Sequence, residues 1–203
     1  MKNWLIVQAS KAKKMMSEKG LTLTTTKLNQ LLMQTAVELL GPQAGPKHVF
    51  EGGMALGHEF MMELSAQLEG DFERVPAYGE AAWIIFAGRT PTKQTYEKCT
   101  VDNQTVYVYT LQDDDSPFSR NIRFPMKFCW FPAGAYQGAA QTWATLTMGG
   151  AYHVICRETK CKAVGDDCCE LTLLIMSSEL PLDFVKRNWP DFFSSIDTGF
   201  VDY

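Results

Sequence analysis

Cys156-Arg-Glu-Thr-Lys-Cys161-Lys-Ala-Val-Gly165-Asp-Asp-Cys168-Cys169 gathers four of the chain's six cysteines, with the acidic Glu158 among them, into fourteen positions. Runs of strand-forming residues flank it, 151–158 before and 170–176 after, so the stretch reads as a β-hairpin with a thiol-rich loop. Thiolates cluster this tightly either to form disulfides or to grip a soft metal ion.

Compartment separates the two. The start of the chain, Met1-Lys-Asn-Trp-Leu-Ile-Val-Gln-Ala-Ser-Lys, breaks its short apolar run with polar residues at once, unlike a secretory leader. No run approaches the roughly 18 apolar residues that span a bilayer. With 203 residues and 46% hydrophobic content, a core forms without covalent staples. A cytoplasmic location with reduced thiols is therefore expected, which favours metal over disulfides; inert buried cysteines are the plainer alternative. The net charge of −4 and the lack of a long basic run argue against a nucleic-acid partner. Lys11, Lys13 and Lys14 read as the solvated face of an N-terminal helix within residues 1–20.

Working outward from the hairpin, residues 131–146 read as a helix rich in small residues, with Pro132 in its first turn. Val106 and Val108 alternate with Tyr107 and Tyr109 in a strand over 104–111. Asp113-Asp114-Asp115 lacks the spacing of a calcium loop and reads as a solvated turn. The apolar run 81–87 is consistent with a buried strand. Upstream, leucines at helical spacing predict a helix from about Thr24 to Leu40, stopped by Gly41-Pro42, with a loop over 43–47. A further helix over 48–69 carries Gly53 and Gly57 on one face, a site of close backbone approach. The tail, 177–203, holds a short helix and an apolar closing segment. Together these predict one α+β domain over 1–203, an antiparallel sheet packed with helices.

A structural zinc takes four ligands from Cys, His and sometimes carboxylate. Glu158 and Cys161 stand at knuckle spacing where the strand enters its loop, and Gly165 lets the loop return Cys168 or Cys169. Cys129, in Phe128-Cys129-Trp130, is the best candidate for the fourth ligand. Three thiolates and a carboxylate on Zn²⁺ carry a formal charge of −2, which Arg157, Lys160 and Lys162 are placed to offset. Cys156 shares a sheet face with Glu158 and stays a rival. His153 points away, His58 reads as a satisfied core histidine, and Cys99 as a bystander.

Glu158-x-x-Cys161-x-x-x-Gly165-Asp166-x-x-Cys169, followed by Leu171-Thr-Leu-Leu-Ile, resembles the signature of 4-vinyl reductase domains. Their superfamily includes TRAPP subunits of vesicle tethering and haem-based nitric oxide sensors, and the domain forms the sensor module of bacterial regulators of phenols. The resemblance covers about residues 120–176. It implies a TRAPP-like fold and a zinc ion held by Cys129 of the Cys129-Trp130 pair, Glu158, Cys161 and Cys169, selecting Cys169 over Cys168. The segment from Cys129 to Glu158 is several residues longer than in the phenol sensors.

The resemblance implies a stand-alone sensor or carrier of a small hydrophobic or aromatic ligand, with structural zinc. The 12% aromatic content and ten methionines permit such a pocket. Trp83, Phe86, Tyr107, Tyr109, Trp130 and Tyr136 are candidates to line it. Two further readings follow from the same resemblance: a dimeric TRAPP-like scaffold, and a tetrapyrrole-pathway vinyl reductase or its accessory. The last finds no dinucleotide motif or catalytic constellation in the sequence, so no catalytic residue is assigned. A homodimer is expected by family analogy.

Overall fold

The structure is a computed structural model that describes residues 19–193; the expected N-terminal helix before Lys19, with Lys11, Lys13 and Lys14, lies outside the described residues. Four helices surround a four-stranded antiparallel sheet, the α+β architecture read from the sequence. Helix α1 (Lys19–Glu63) is broken by Gly41, whose φ of 83° is a left-handed conformation costly for other residues. The break falls where the sequence placed it, but the expected loop over 43–47 is helical. Pro42 and Pro46 both lie close to the new helix start, where missing N–H groups cost little. The helix also ends at Glu63, short of the expected 69, and gives way to 3-10 turns at Ser65–Gln67 and Phe72–Arg74.

Helix α2 (Val75–Ala87) replaces the strand expected at 81–87. Its buried residues Val75, Gly79, Ala82 and Trp83 recur at helical spacing, and Gly88 closes it by donating its N–H to the Ile84 carbonyl at 2.9 Å. Strands β1 (Lys93–Val101) and β2 (Gln104–Asp113) form a hairpin, β1 being a largely exposed strand that the sequence reading passed over. Helix α3 (Trp130–Met148), strands β3 (Tyr152–Lys160) and β4 (Cys169–Ser177) and helix α4 (Leu182–Asn188) complete the described chain. The sheet order is β1-β2-β4-β3, so the thiol-rich loop joins the edge strand β3 to its neighbour.

One face of the sheet, with Tyr109, Leu111, Leu173 and Cys156, packs against the helices; the other, with Val106, Leu174 and Met176, is covered by Phe184, Val185 and Phe192. Helix α3 lies close against the second half of α1. A Cβ on Gly53, Gly57, Gly134 or Gly138 would overlap a backbone carbonyl of the opposite helix, so these glycines set the helix separation. On its other side α3 grips the edge of β3. The Gln137 and Gln141 carboxamides accept the N–H groups of Cys156 and Val154, both at 2.9 Å, and Gln141 donates to the Tyr152 carbonyl at 3.0 Å. These bonds satisfy edge-strand backbone and fix the middle of α3 relative to β3.

Asp113 is fully buried rather than solvated. Its carboxylate pairs with Arg89 and accepts from the Trp83 indole N–H at 3.0 Å and from the Asp115 N–H at 3.0 Å. This network anchors the loop that carries the chain from β2 to Cys129.

Candidate functional site

Cys129 caps the start of α3, Glu158 stands near the end of β3, Cys161 opens the 3-10 turn Lys162–Val164, and Cys169 begins β4. The structure brings one ligand atom of each within 4.8 Å of all the others. Their residues are 1%, 5%, 0% and 2% exposed, respectively. Gly165 makes the tight return possible with φ of 112°. The Cys161 N–H donates to the Asp166 carboxylate at 2.7 Å, and the Phe124 N–H donates to the Ala163 carbonyl at 2.9 Å. The loop is thus tied to itself and to the segment leading into α3.

The cysteines are free thiols, and the Cys129 and Cys169 sulfurs stand 3.6 Å apart. A disulfide needs about 2.05 Å. The edge of a tetrahedron with Zn–S bonds of about 2.3 Å is about 3.8 Å, close to what is seen. Glu158 carries a second mark of a ligand. Its Oε2 accepts the N–H groups of Phe128 at 2.8 Å and Cys129 at 2.7 Å. Its buried Oε1 has no hydrogen-bond partner. A buried carboxylate oxygen left bare costs folding energy unless something positive meets it. Sulfur-directed donors complete the surroundings: Phe128 N–H to Cys161 at 3.3 Å, Lys162 N–H to Cys169 at 3.5 Å, and the Ser119 hydroxyl beside Cys169 at 2.9 Å.

Without a cation these four groups compete to hold negative charge. Burial, with the Cys169 charge beside it, pushes the Glu158 carboxyl up to about 8. Hydrogen bonding with Cys161 and Cys169, added to burial, holds the Cys129 thiol well above its usual range. Hydrogen bonds from Cys129, Cys161 and Ser119 draw the Cys169 thiol well down. A dication relieves this competition by favouring the charged form of all four. Donor types, spacing, burial and the bare oxygen all fit zinc; the cluster could hold a metal, and its four protein ligands would leave no open position for substrate.

The charge balance differs from the sequence expectation. Arg157 turns to Gln137 and the ring of Phe50 rather than to the cluster. Lys162 donates to the carbonyls of Asp114 at 2.7 Å and Asp167 at 3.3 Å, and Lys160 pairs with Asp167 at 3.8 Å. Backbone N–H groups, not these side chains, face the sulfurs and the carboxylate. Cys156 and Cys168 are buried outside the set of four, and Cys99 is half-buried on β1. His153 is exposed. His58 is also exposed, not a core residue, and its Nδ1 lies 2.9 Å from the Thr142 hydroxyl.

A small apolar cavity, with about 50 Å³ open to the centres of water-sized molecules, lies between the end of α1, α2, α3 and the sheet. Of the six aromatic residues singled out in the sequence, only Tyr109 and Tyr136 line it. Trp83 is engaged with Asp113, Phe86 packs on Phe60 at 6.3 Å, Tyr107 stacks on Phe72 at 3.9 Å, and Trp130 packs on Phe128 at 6.0 Å. The sequence reading missed Phe60, Met61, Leu64, Tyr78 and Trp143. Pro76 and Gly88, which bracket a helix over 75–87, were the signal that could have found Tyr78.

No family model and no curated protein matches this sequence. Solved structures do. The phenol-responsive sensory domain of the transcription activator PoxR, solved with phenol, is 19% identical with a TM-score of 0.50, over 85% of this chain and 82% of that one. A trafficking protein particle complex subunit 3 from Naegleria fowleri, covalently bound to palmitic acid, is 17% identical with a TM-score of 0.50, over 74% of this chain and 95% of that one. At these identities the likeness is one of architecture: the chain has the α+β fold found in a phenol-sensing domain and in a TRAPP subunit.

Proposed function

We propose that this chain is a ligand-binding domain of the 4-vinyl reductase type, a sensor or carrier that holds a small apolar molecule in the cavity. Zinc, bound by Cys129, Glu158, Cys161 and Cys169, is its structural cofactor. The observation that carries the reading is that the same elements build both sites. Helix α3 begins at the donor Cys129 and presents Tyr136, Ala139, Ala140 and Trp143 to the cavity; β4 begins at Cys169 and presents Leu173. A bound metal supplies charge and four strong bonds that clamp the hairpin loop to the start of α3. The chain's own residues do the rest. Gln137 and Gln141 lock α3 to β3, the glycines seat it on α1, and the aromatic walls exclude water. A ligand that shifts α3 or β4 is felt at the cluster, and the reverse.

Support for a small apolar ligand comes from the lining and from the PoxR domain, whose structure holds phenol. Reduced thiols in the cluster fit a cytoplasmic protein. No helix among the described residues is long and apolar enough to cross a membrane. Native mass spectrometry of the purified chain, with elemental analysis of the same sample, tests the proposal. About one zinc per chain and a small molecule released on denaturation bear it out; metal-free, fully folded protein refutes it.

One observation favours a second reading, a dimeric scaffold. Leu31 and Leu39 are 60% and 77% exposed on residues 19–40, with Leu32 and Leu40 also exposed. An apolar helix face of this kind suits a second copy of the chain. A dimer mass that dissociates in Leu31→Glu with zinc retained supports it.

A further inference from the structure

We propose that the cavity selects an uncharged aromatic hydrocarbon and gives no preference to a hydroxyl or carboxyl group on the ring; this rests on the cavity being the ligand site. Fourteen residues line it, and none is Asp, Glu, Lys, Arg, His, Asn, Gln, Ser or Thr. The only lining side-chain heteroatoms are the Met61 sulfur, three phenol oxygens and one indole nitrogen.

The strongest of these groups are already engaged. The Tyr136 hydroxyl donates to the Gly79 carbonyl at 2.6 Å, and the Tyr109 hydroxyl donates to the Gln94 carboxamide at 3.1 Å. The Trp143 indole N–H donates to the Glu69 carbonyl at 2.9 Å. The Tyr78 hydroxyl accepts the Glu69 N–H at 3.2 Å, and the residue is half-buried. No lining atom is among the buried polar atoms left without a partner. A pocket built to recognise a polar group presents a spare partner for it, because binding the wrong ligand then leaves that partner bare. Here an anionic ligand meets no countercharge, and a hydroxyl exchanges its bonds to water for a lone pair on a tyrosine already donating elsewhere, or for the half-buried Tyr78 O–H, which gains no more from a ligand hydroxyl than from water.

Shape points to a ring. Phe60, Tyr78, Tyr109, Tyr136 and Trp143 supply five aromatic walls, while Ala82, Ala139 and Ala140 leave the space between them. Aromatic pairs gain from edge-to-face and offset contacts that an alkyl chain does not make. Gly79 is held small because a Cβ there would come within 2.5 Å of the Tyr109 ring.

The test is an NMR titration of the full chain as purified with its metal, with ¹³C-methyl methionine and ¹⁵N-indole labels. Met61 and Trp143 report the cavity, and the fully buried Met33, outside its lining, reports the fold. Toluene, phenol and benzoate are added separately to the parent and to Ala140→Phe, which adds a ring at a half-buried lining position. Expected are shifts of Met61 and Trp143 with toluene, a toluene Kd equal to or below that of phenol, and a benzoate Kd at least about 100-fold higher. The toluene shifts should vanish in Ala140→Phe while Met33 is unchanged. Phenol or benzoate bound tenfold more tightly than toluene overturns the selectivity and keeps the ligand site. No Met61 or Trp143 shift with any probe, or toluene shifts that persist in Ala140→Phe, overturns the ligand site itself.

Discussion

Glu158→Gln separates two tasks carried by one carboxylate. Oε2 accepts the N–H groups of Phe128 and Cys129 at 2.8 and 2.7 Å, while Oε1 has no hydrogen-bond partner. Glutamine has the same length but one acceptor oxygen and one nitrogen bearing two protons. If its oxygen stays on the two N–H groups, the NH₂ takes the position of the metal-facing donor and cannot ligate. If it flips, oxygen reaches the metal, but the NH₂ faces two buried N–H donors. Each donor left without an acceptor costs about 1–3 kcal/mol. The cheaper orientation therefore loses about 2–4 kcal/mol, or about 30- to 1000-fold in metal affinity. Cys161→Ser or Cys169→Ser should exceed that range, because a serine hydroxyl stays protonated at neutral pH and leaves three ligands. Zinc competition against a chromophoric chelator, paired with thermal melts, reads both. Unchanged affinity in Glu158→Gln, or a loss equal to that of Cys161→Ser, refutes the assignment of two roles to Glu158.

Cys129→Ala should release zinc to the chelator, whereas Cys99→Ser, half-buried on β1, should keep full metal content and a Tm within about 1–2 °C of the parent. Gly57→Ala should destabilise by about 3 kcal/mol or more in urea melts, since its Cβ would overlap the Ala135 carbonyl of α3. Gly52→Ala, on the same helix with nothing within 4 Å, should stabilise by up to about 1 kcal/mol. Burial raises the phenol pKa of both Tyr109 and Tyr136 above the ordinary value near 10. The native state thus holds these protons more tightly than the unfolded chain, so their contribution is full below about pH 10 and declines as pH rises above it. Denaturant midpoints on either side of pH 10 should show this loss, and Tyr136→Phe should reduce it.

Much of the hairpin was legible because its signals are local. Alternation over 104–111 gave β2 and the right faces for Val106 and Tyr109, and the spacing of Glu158, Cys161 and Cys169 survives folding because one tight loop carries all three. Three misreadings have physical causes. In Ala81-Ala-Trp-Ile-Ile-Phe-Ala87 the helix is apolar on most sides, so no polar face reveals its period; Pro76 in the first turn and Gly88 at the end were the better guides. Strand β1 is mostly exposed, and Lys93-Gln-Thr-Tyr-Glu-Lys-Cys lacks the apolar alternation of a covered strand. Asp113 looks like its exposed neighbours Asp114 and Asp115 because nothing local announces that Trp83 and Arg89 meet it from another element. The cavity was least legible of all. Three helices and two strands build it, and whether an aromatic residue faces the cavity or the core beside it depends on how they pack.

X-ray absorption at the zinc edge of the purified, reduced chain tests the metal centre most directly. This account expects about three sulfurs near 2.3 Å and one oxygen at about 2.0–2.2 Å. Four sulfurs with no light-atom shell would replace Glu158 by Cys156 or Cys168, and protein that binds no zinc while fully folded would contradict the centre altogether.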